Sequence, residues 1–167
     1  LSQDLPETGS YITVDDFGVP VLATRDSEGR VRAFVNACSH RGVRVASERR
    51  GRRERFTCPF HAWTYSGEGA LLRIPRAEDF GELDKRCHVL HELPSAERGG
   101  LLWVHPDPQG AFDRQLPDSL ATELLAFGIG EMTYQGESSI DMPLNWKLAN
   151  DTFGETYHFS RLHHNTL

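Results

Sequence analysis

The sequence predicts a mainly β fold, an antiparallel β-sandwich over residues 1–115, followed over 116–167 by the beginning of an α+β domain. Two observations predict it. Up to about residue 105, short apolar runs alternate with turns rich in Gly, Asp and Pro, the pattern of a sandwich or barrel. After Pro117 the apolar spacing becomes helical. About fifty residues remain beyond that boundary, too few for a second domain with its own core.

Tyr11–Val14 and Pro20–Thr24 are the first two expected strands, flanking the turn Asp15-Asp16-Phe17-Gly18. Asp26-Ser27-Glu28-Gly29 turns the chain again, and Val31–Val35 alternates apolar with polar residues as a half-buried strand does. Phe56–Cys58 enters a loop, Trp63–Tyr65 leaves it, and Ser66-Gly67-Glu68-Gly69 makes the following turn. Leu101–His105 is expected as a short buried strand closed by Pro106-Asp107-Pro108. Asp118 and Ser119 are placed to cap a helix through Leu120, Leu124 and Phe127 that stops at Gly128. A strand over Met132–Ile140 and a helix from Asn145 to Phe159 are expected beyond it.

At 38% apolar and 25% charged residues, the composition is that of a globular protein. No apolar run approaches the roughly 18 residues of a membrane span, so no membrane partner is expected. Leu1–Gly9 has neither a basic start nor an apolar core and is not a signal peptide. It also lacks an initiator Met, so the chain is expected not to begin where its gene does. Three cysteines are too few for a disulfide framework, which fits a reducing, cytoplasmic setting. Cys87 is expected to be a small buried hydrophobe. A net charge of −6 argues against nucleic-acid binding. Within residues 41–55, however, seven arginines against Glu48 and Glu54 give +5, leaving −11 for the remainder. This window reads as a solvated hairpin tip or as a docking site for an acidic partner.

Two Cys-His pairs, Cys38-Ser39-His40 and Cys58-Pro59-Phe60-His61, are separated by 17 residues. Each loop offers one thiolate and one imidazole, so two loops of a β scaffold supply a four-ligand set. Two cysteines on one iron and two histidines on another hold a [2Fe–2S] cluster of the Rieske type. Zinc accepts the same donors and is the rival. Zinc knuckles usually pair Cys with Cys and His with His, and C-x-H is tight for one. Trp63 and Phe60 are expected to shield the site from water, which is also what core aromatics do.

A second constellation lies near the C-terminal end. Trp146, Ala149, Phe153 and Tyr157 fall on one helical stripe, while Asp151, Glu155 and His158 stand at i, i+4 and i+7 on the other side. His163 follows five residues after His158. An acid and two histidines suit iron(II) and leave positions open. The same spacing is compatible with a solvated helix face and ordinary histidines.

The segments His40-Arg41-Gly42, Cys58 to Tyr65, Asn145-Trp146-Lys147, Tyr157-His158 and His163 resemble the N-terminal part of the large (alpha) subunit of Rieske non-heme iron oxygenases. These are ring-hydroxylating and demethylating enzymes, and the resemblance runs from about Gly9 to the end. It implies a Rieske domain followed by the start of a helix-grip catalytic domain. It implies that Cys38, His40, Cys58 and His61 hold the [2Fe–2S] cluster and that His158 and His163 bind a mononuclear non-heme iron(II), with His164 a near-miss. Respiratory-type Rieske proteins carry a disulfide whose positions here are Val43 and Phe60, so the likeness is to the low-potential group. Fewer polar groups near the sulfurs lower the potential too.

In the family, an Asp three residues before the first histidine bridges the cluster of one subunit to the iron of its neighbour. Glu155 stands there, one methylene longer, with Asp151 expected as a further partner behind it. The third iron ligand, an Asp, lies farther downstream, so the chain is expected to be a fragment or the ordered part of a longer protein. The implied activity is O₂-dependent hydroxylation or demethylation of a small organic, for example aromatic, substrate. Electrons would come from NAD(P)H through a ferredoxin or reductase, in a trimer with or without a β subunit. Fold does not fix the substrate. A Rieske ferredoxin that only carries electrons, and a zinc-binding module docking through the arginine window, are the alternatives.

Overall fold

The computed structural model describes residues 1–16, 18–112, 116–136 and 138–166. They form two compact units, Leu1–Met132 and Thr133–Leu167. The expected division near residue 115 falls outside the described residues, as does Phe17 of the first turn.

The first unit is built of short strands. In chain order they are β1 (Ser10–Val14), β2 (Val21–Arg25), β3 (Val31–Val35), β4 (Arg50–Arg52) and β5 (Arg55–Thr57). Then follow β6 (Thr64–Ser66), β7 (Leu71–Arg73), β8 (Glu92–Leu93), β9 (Ser95–Arg98) and β10 (Leu101–Val104). One sheet has the order β4-β1-β2-β3-β8, a second is β5-β6-β7, and β9 pairs with β10. Every pairing is antiparallel, with Leu22 opposite Phe34 and Phe56 opposite Tyr65.

Successive side chains of a strand point to opposite faces, and β2 is covered on both. Leu22 joins Tyr11, Phe34, Phe56 and Tyr65 in the core between the two larger sheets. Val21, with Ala33 and Leu93, faces the other way, where Val104 of β10 packs against them. The Thr24 hydroxyl, buried in this central strand, donates to the Gly67 carbonyl at 2.7 Å and ties the two larger sheets together. Gly69 is held close to Phe34, because a Cβ there would sit 2.5 Å from the Phe34 ring.

The strands expected before residue 106 are present within a residue or so, and Leu101–Val104 is half-buried rather than buried. The arginine window is not a hairpin, since β4 pairs with β1 and β5 with β6. Its charge is largely matched: Arg44 pairs with Asp15, Arg50 with Asp4, Arg52 with Glu7 and Arg53 with Glu48. Cys87 is exposed, contrary to expectation. It lies on a one-turn 3₁₀ helix, Lys85–His88, that packs inward through His88 and the neighbouring Leu83, leaving Cys87 outward.

Helix α1 (Asp118–Ala126) follows, with Pro117 rather than Asp118 or Ser119 at its cap, and the chain reverses at Gly128, where φ is 66°. No strand forms among the described residues of Met132–Ile140. The long expected helix is two. The first, α2 (Trp146–Phe153), starts where Asn145 Oδ1 accepts from the Lys147 amide at 2.9 Å and ends at Gly154, a poor helix former. The second, α3, is the single turn Phe159–Leu162. Asp151, Glu155 and His158 therefore do not share a helix face. Among the described residues no helix is long and apolar enough to cross a membrane.

Candidate metal centres

The two Cys-His loops, one after β3 and the other between β5 and β6, are built on one backbone frame. The cysteine amide donates five residues forward in each, Cys38 to the Val43 carbonyl and Cys58 to the Trp63 carbonyl, both at 2.8 Å. The amide four residues on donates back to the cysteine carbonyl, from Gly42 at 2.7 Å and from Ala62 at 2.9 Å. That residue is left-handed in both, with φ 71° at Gly42 and 56° at Ala62. The first loop is further clamped by Asn36, whose buried amide donates to the Ala46 carbonyl at 2.7 Å and accepts from the Val45 and Ala46 amides. A buried amide so satisfied fixes the loop at low cost.

These frames bring the four candidate ligands together in two pairs. Cys38 and Cys58 are buried together in the main core, close enough for each thiol to influence the other. Burial pushes the Cys58 thiol up. The rings of His40 and His61 lie 4.7 Å apart, His40 half-exposed and His61 exposed. Burial lowers His40 below the usual imidazole range, with the charges of His61 and Arg41 acting in the same direction. A neutral imidazole is the ligand form.

Among the described residues no three His, Cys, Asp or Glu side chains converge on one metal position. Thiol faces thiol and imidazole faces imidazole. A tetrahedral zinc ion needs all four donors around one point, whereas a two-iron cluster takes sulfur at one iron and nitrogen at the other. The donor set and its pairing fit the cluster.

Trp63 is buried and stacks on His40 with centroids 4.9 Å apart. Phe80 meets both rings edge-on, and His88 meets Trp63 at 90°. Phe60 is 57% exposed and covers the His61 ring, 3.9 Å away, so it is not a core aromatic. The sequence reading missed Tyr65 and Ser39. The Tyr65 hydroxyl, fully buried, lies 3.2 Å from Cys38 Sγ and 2.9 Å from Ser39 Oγ, and accepts from the Ser39 amide. Burial, then the bond to Cys38, pushes its pKa well above that of free tyrosine. A tyrosine facing inward on a strand needs a partner for its hydroxyl, and that was the available signal.

In the second unit, His158 and His163 stand with ring centroids 5.3 Å apart, beside a cavity of about 270 Å³ lined also by Phe153, Phe159 and Thr166. The Nδ1–H of His158 donates to Glu155 Oε1, and the Tyr157 amide donates to Oε2. These contacts, the His158 bond foremost, hold the Glu155 carboxyl below the usual range. Thr166 Oγ1 lies 3.4 Å from His163 Nδ1. Both histidines thus have a partner at Nδ1, and an imidazole anchored by a carboxylate at one nitrogen, as His158 is, is the usual metal-ligand arrangement. Asp151 stays on the exposed surface of α2, apart from this group. His164 bonds the Arg161 carbonyl through its own Nδ1.

The Rieske [2Fe-2S] domain family matches residues 1–94, and the ring hydroxylating alpha subunit (catalytic domain) family matches residues 129–167. The large subunit of anthranilate 1,2-dioxygenase from Acinetobacter baylyi is 32% identical over 97% of the chain and 36% of its own length. The oxygenase subunit of glycine betaine monooxygenase from Chromohalobacter salexigens is 33% identical over 96% of the chain, again 36% of its own length. The chain thus spans about a third of these relatives. A quaternary ammonium Rieske monooxygenase in complex with L-carnitine superposes on 97% of the chain and 47% of its own, with TM-score 0.86 and 26% identity. Naphthalene 1,2-dioxygenase from Rhodococcus sp. covers 96% of the chain and 38% of its own, at 0.73 and 30%. The chain belongs to the Rieske [2Fe-2S] domain family, and continues into the catalytic domain of ring-hydroxylating alpha subunits.

Proposed function

We propose that this chain is the N-terminal part of a Rieske oxygenase large subunit that oxygenates a small organic substrate, by hydroxylation or demethylation. The observation that carries the reading is the pairing of Cys38 with Cys58 and of His40 with His61 on two matched loops. These four residues would hold the [2Fe–2S] cluster, and His158 and His163 a mononuclear iron(II). When bound, the two groups supply one-electron transfer and O₂ activation.

The chain's own residues divide the remaining work. The core holds the cysteines away from water, while the exposed edge of His61 gives an electron donor its point of approach. The donor in this reading is a ferredoxin or reductase drawing on NAD(P)H. Trp63 and Phe80 hold the His40 ring. Glu155 orients His158 and is the candidate link from a neighbouring subunit's cluster site in a trimer. A related quaternary ammonium Rieske monooxygenase is described for carnitine oxidation and inter-subunit electron transfer. Asp151 plays no part beyond the surface of α2 in this reading. The three free thiols fit a cytoplasmic setting. The domain division near residue 115 falls between the two family matches.

The test is an EPR spectrum of anaerobically purified protein before and after dithionite, with iron and zinc counted. A rhombic signal of average g below 2 on reduction supports the reading. A colourless, EPR-silent protein with one bound zinc refutes it.

A further inference from the structure

The phenol of Tyr65 has one proton and two places to put it. Cys38 Sγ lies 3.2 Å from the hydroxyl oxygen and Ser39 Oγ lies 2.9 Å from it. Ser39 is not free to donate. Its hydroxyl sits 2.7 Å from the His88 carbonyl oxygen, which has no proton of its own, so the serine proton goes there. Its amide proton goes to the Tyr65 oxygen, 3.1 Å away. The lone pairs of Ser39 Oγ are what remains, and they compete with the Cys38 sulfur for the Tyr65 proton.

We propose that Ser39 is a positioning residue that draws the Tyr65 hydrogen bond partly away from Cys38 and thereby lowers the reduction potential of a cluster bound there. This rests on the reading of Cys38 as a cluster ligand. Reduction adds negative charge, which a hydrogen bond to a ligand sulfur stabilises, so such bonds raise the potential. A competing acceptor weakens that effect. The His88 carbonyl makes the competition possible by fixing which way the serine hydroxyl points. The 3₁₀ helix Lys85–His88 carries this anchor, and the His88 ring holds it against Trp63.

The test is a spectroelectrochemical titration of the cluster-loaded protein at one pH, comparing the wild type with Ser39→Ala, Ser39→Thr, Tyr65→Phe and the Ser39→Ala/Tyr65→Phe pair. Ser39→Ala should shift the midpoint upward and Ser39→Thr, which keeps the hydroxyl, should not move it. Tyr65→Phe should shift it downward, and adding Ser39→Ala to that background should change nothing. An unmoved or lower midpoint in Ser39→Ala overturns the inference. An equal upward shift in both backgrounds also overturns it, because water reaching the site would act with or without the phenol. Should Ser39→Ala fail to load, Ser39→Cys, a weaker acceptor, carries the same expectation. A wild type without a cluster defeats the assignment and the inference together, whereas a cluster with an indifferent midpoint defeats the inference alone.

Discussion

Trp63 lies flat on the imidazole of His40, with ring planes 9° from parallel. The contact joins a core aromatic to a candidate ligand, so packing and metal binding are coupled at one residue. Trp63→Ala removes a buried indole and leaves a cavity beneath His40, which should cost about 3–5 kcal/mol. Trp63→Phe should cost less because it keeps an aromatic face there. Anaerobic guanidinium unfolding reads the stability, and the rate of bleaching in air reads the protection of the site. A Trp63→Ala protein as stable and as slow to bleach as the wild type would show that the stack is incidental.

Gly42 and Ala62 occupy equivalent left-handed positions in the two matched loops, yet only one is glycine. A non-glycine residue at positive φ is strained by roughly 1 kcal/mol or more. Ala62→Gly should therefore stabilise the protein by about 0.5–1 kcal/mol, and Gly42→Ala should destabilise it by at least as much. Nothing lies within 4 Å of a Cβ built on Gly42, so the second effect would be conformational rather than a clash. Unfolding midpoints in urea distinguish the signs, and the same sign for both substitutions would refute the equivalence of the loops.

The four candidate cluster ligands stand out in the sequence because few side chains do that chemistry and their spacing is local. The matched frames stand out less, since the histidine is the third residue of one loop and the fourth of the other. Strand β4 was missed because Arg50-Gly51-Arg52 is exposed throughout and has no apolar alternation; its pairing with β1 fixes it, not its composition. Asn36, Ser39 and Tyr65 act through partners 9–49 residues away, which no local pattern reveals. At the second site the apolar stripe of α2 hid the effect of Gly154, and the helical reading put Asp151 beside Glu155 where the chain breaks.

Glu155 and His158 form a pair whose two halves should separate experimentally. In a protein carrying the complete catalytic domain, His158→Ala should abolish turnover and lower the iron count while leaving the cluster EPR signal intact. Glu155→Ala keeps the imidazole but removes its anchor, so iron affinity should fall about 10–100-fold. Iron titration of the apoprotein reads that fall. Retained activity in His158→Ala would remove this residue from the iron site, and unchanged affinity in Glu155→Ala would confine the glutamate to another role.

Acid stability should report on Asp26, whose carboxylate is 1% exposed at the turn between β2 and β3. Burial pushes this carboxyl up, but the Arg30 amide, the Arg30 guanidinium and the Glu28 amide together outweigh it and leave it below the usual value. A carboxyl depressed in the folded state contributes stability above its unfolded pKa of about 3.9, and that contribution is lost as the pH falls through the lower folded value. Asp26→Asn keeps an oxygen for the amides but loses the charge. It should therefore be less stable than the wild type near pH 7, and the difference should shrink as the pH falls below about 4. Urea unfolding from pH 7 to pH 3 tests this. A stability difference that stays constant across the range would mean that the turn depends on the hydrogen bonds alone and not on the charge of Asp26.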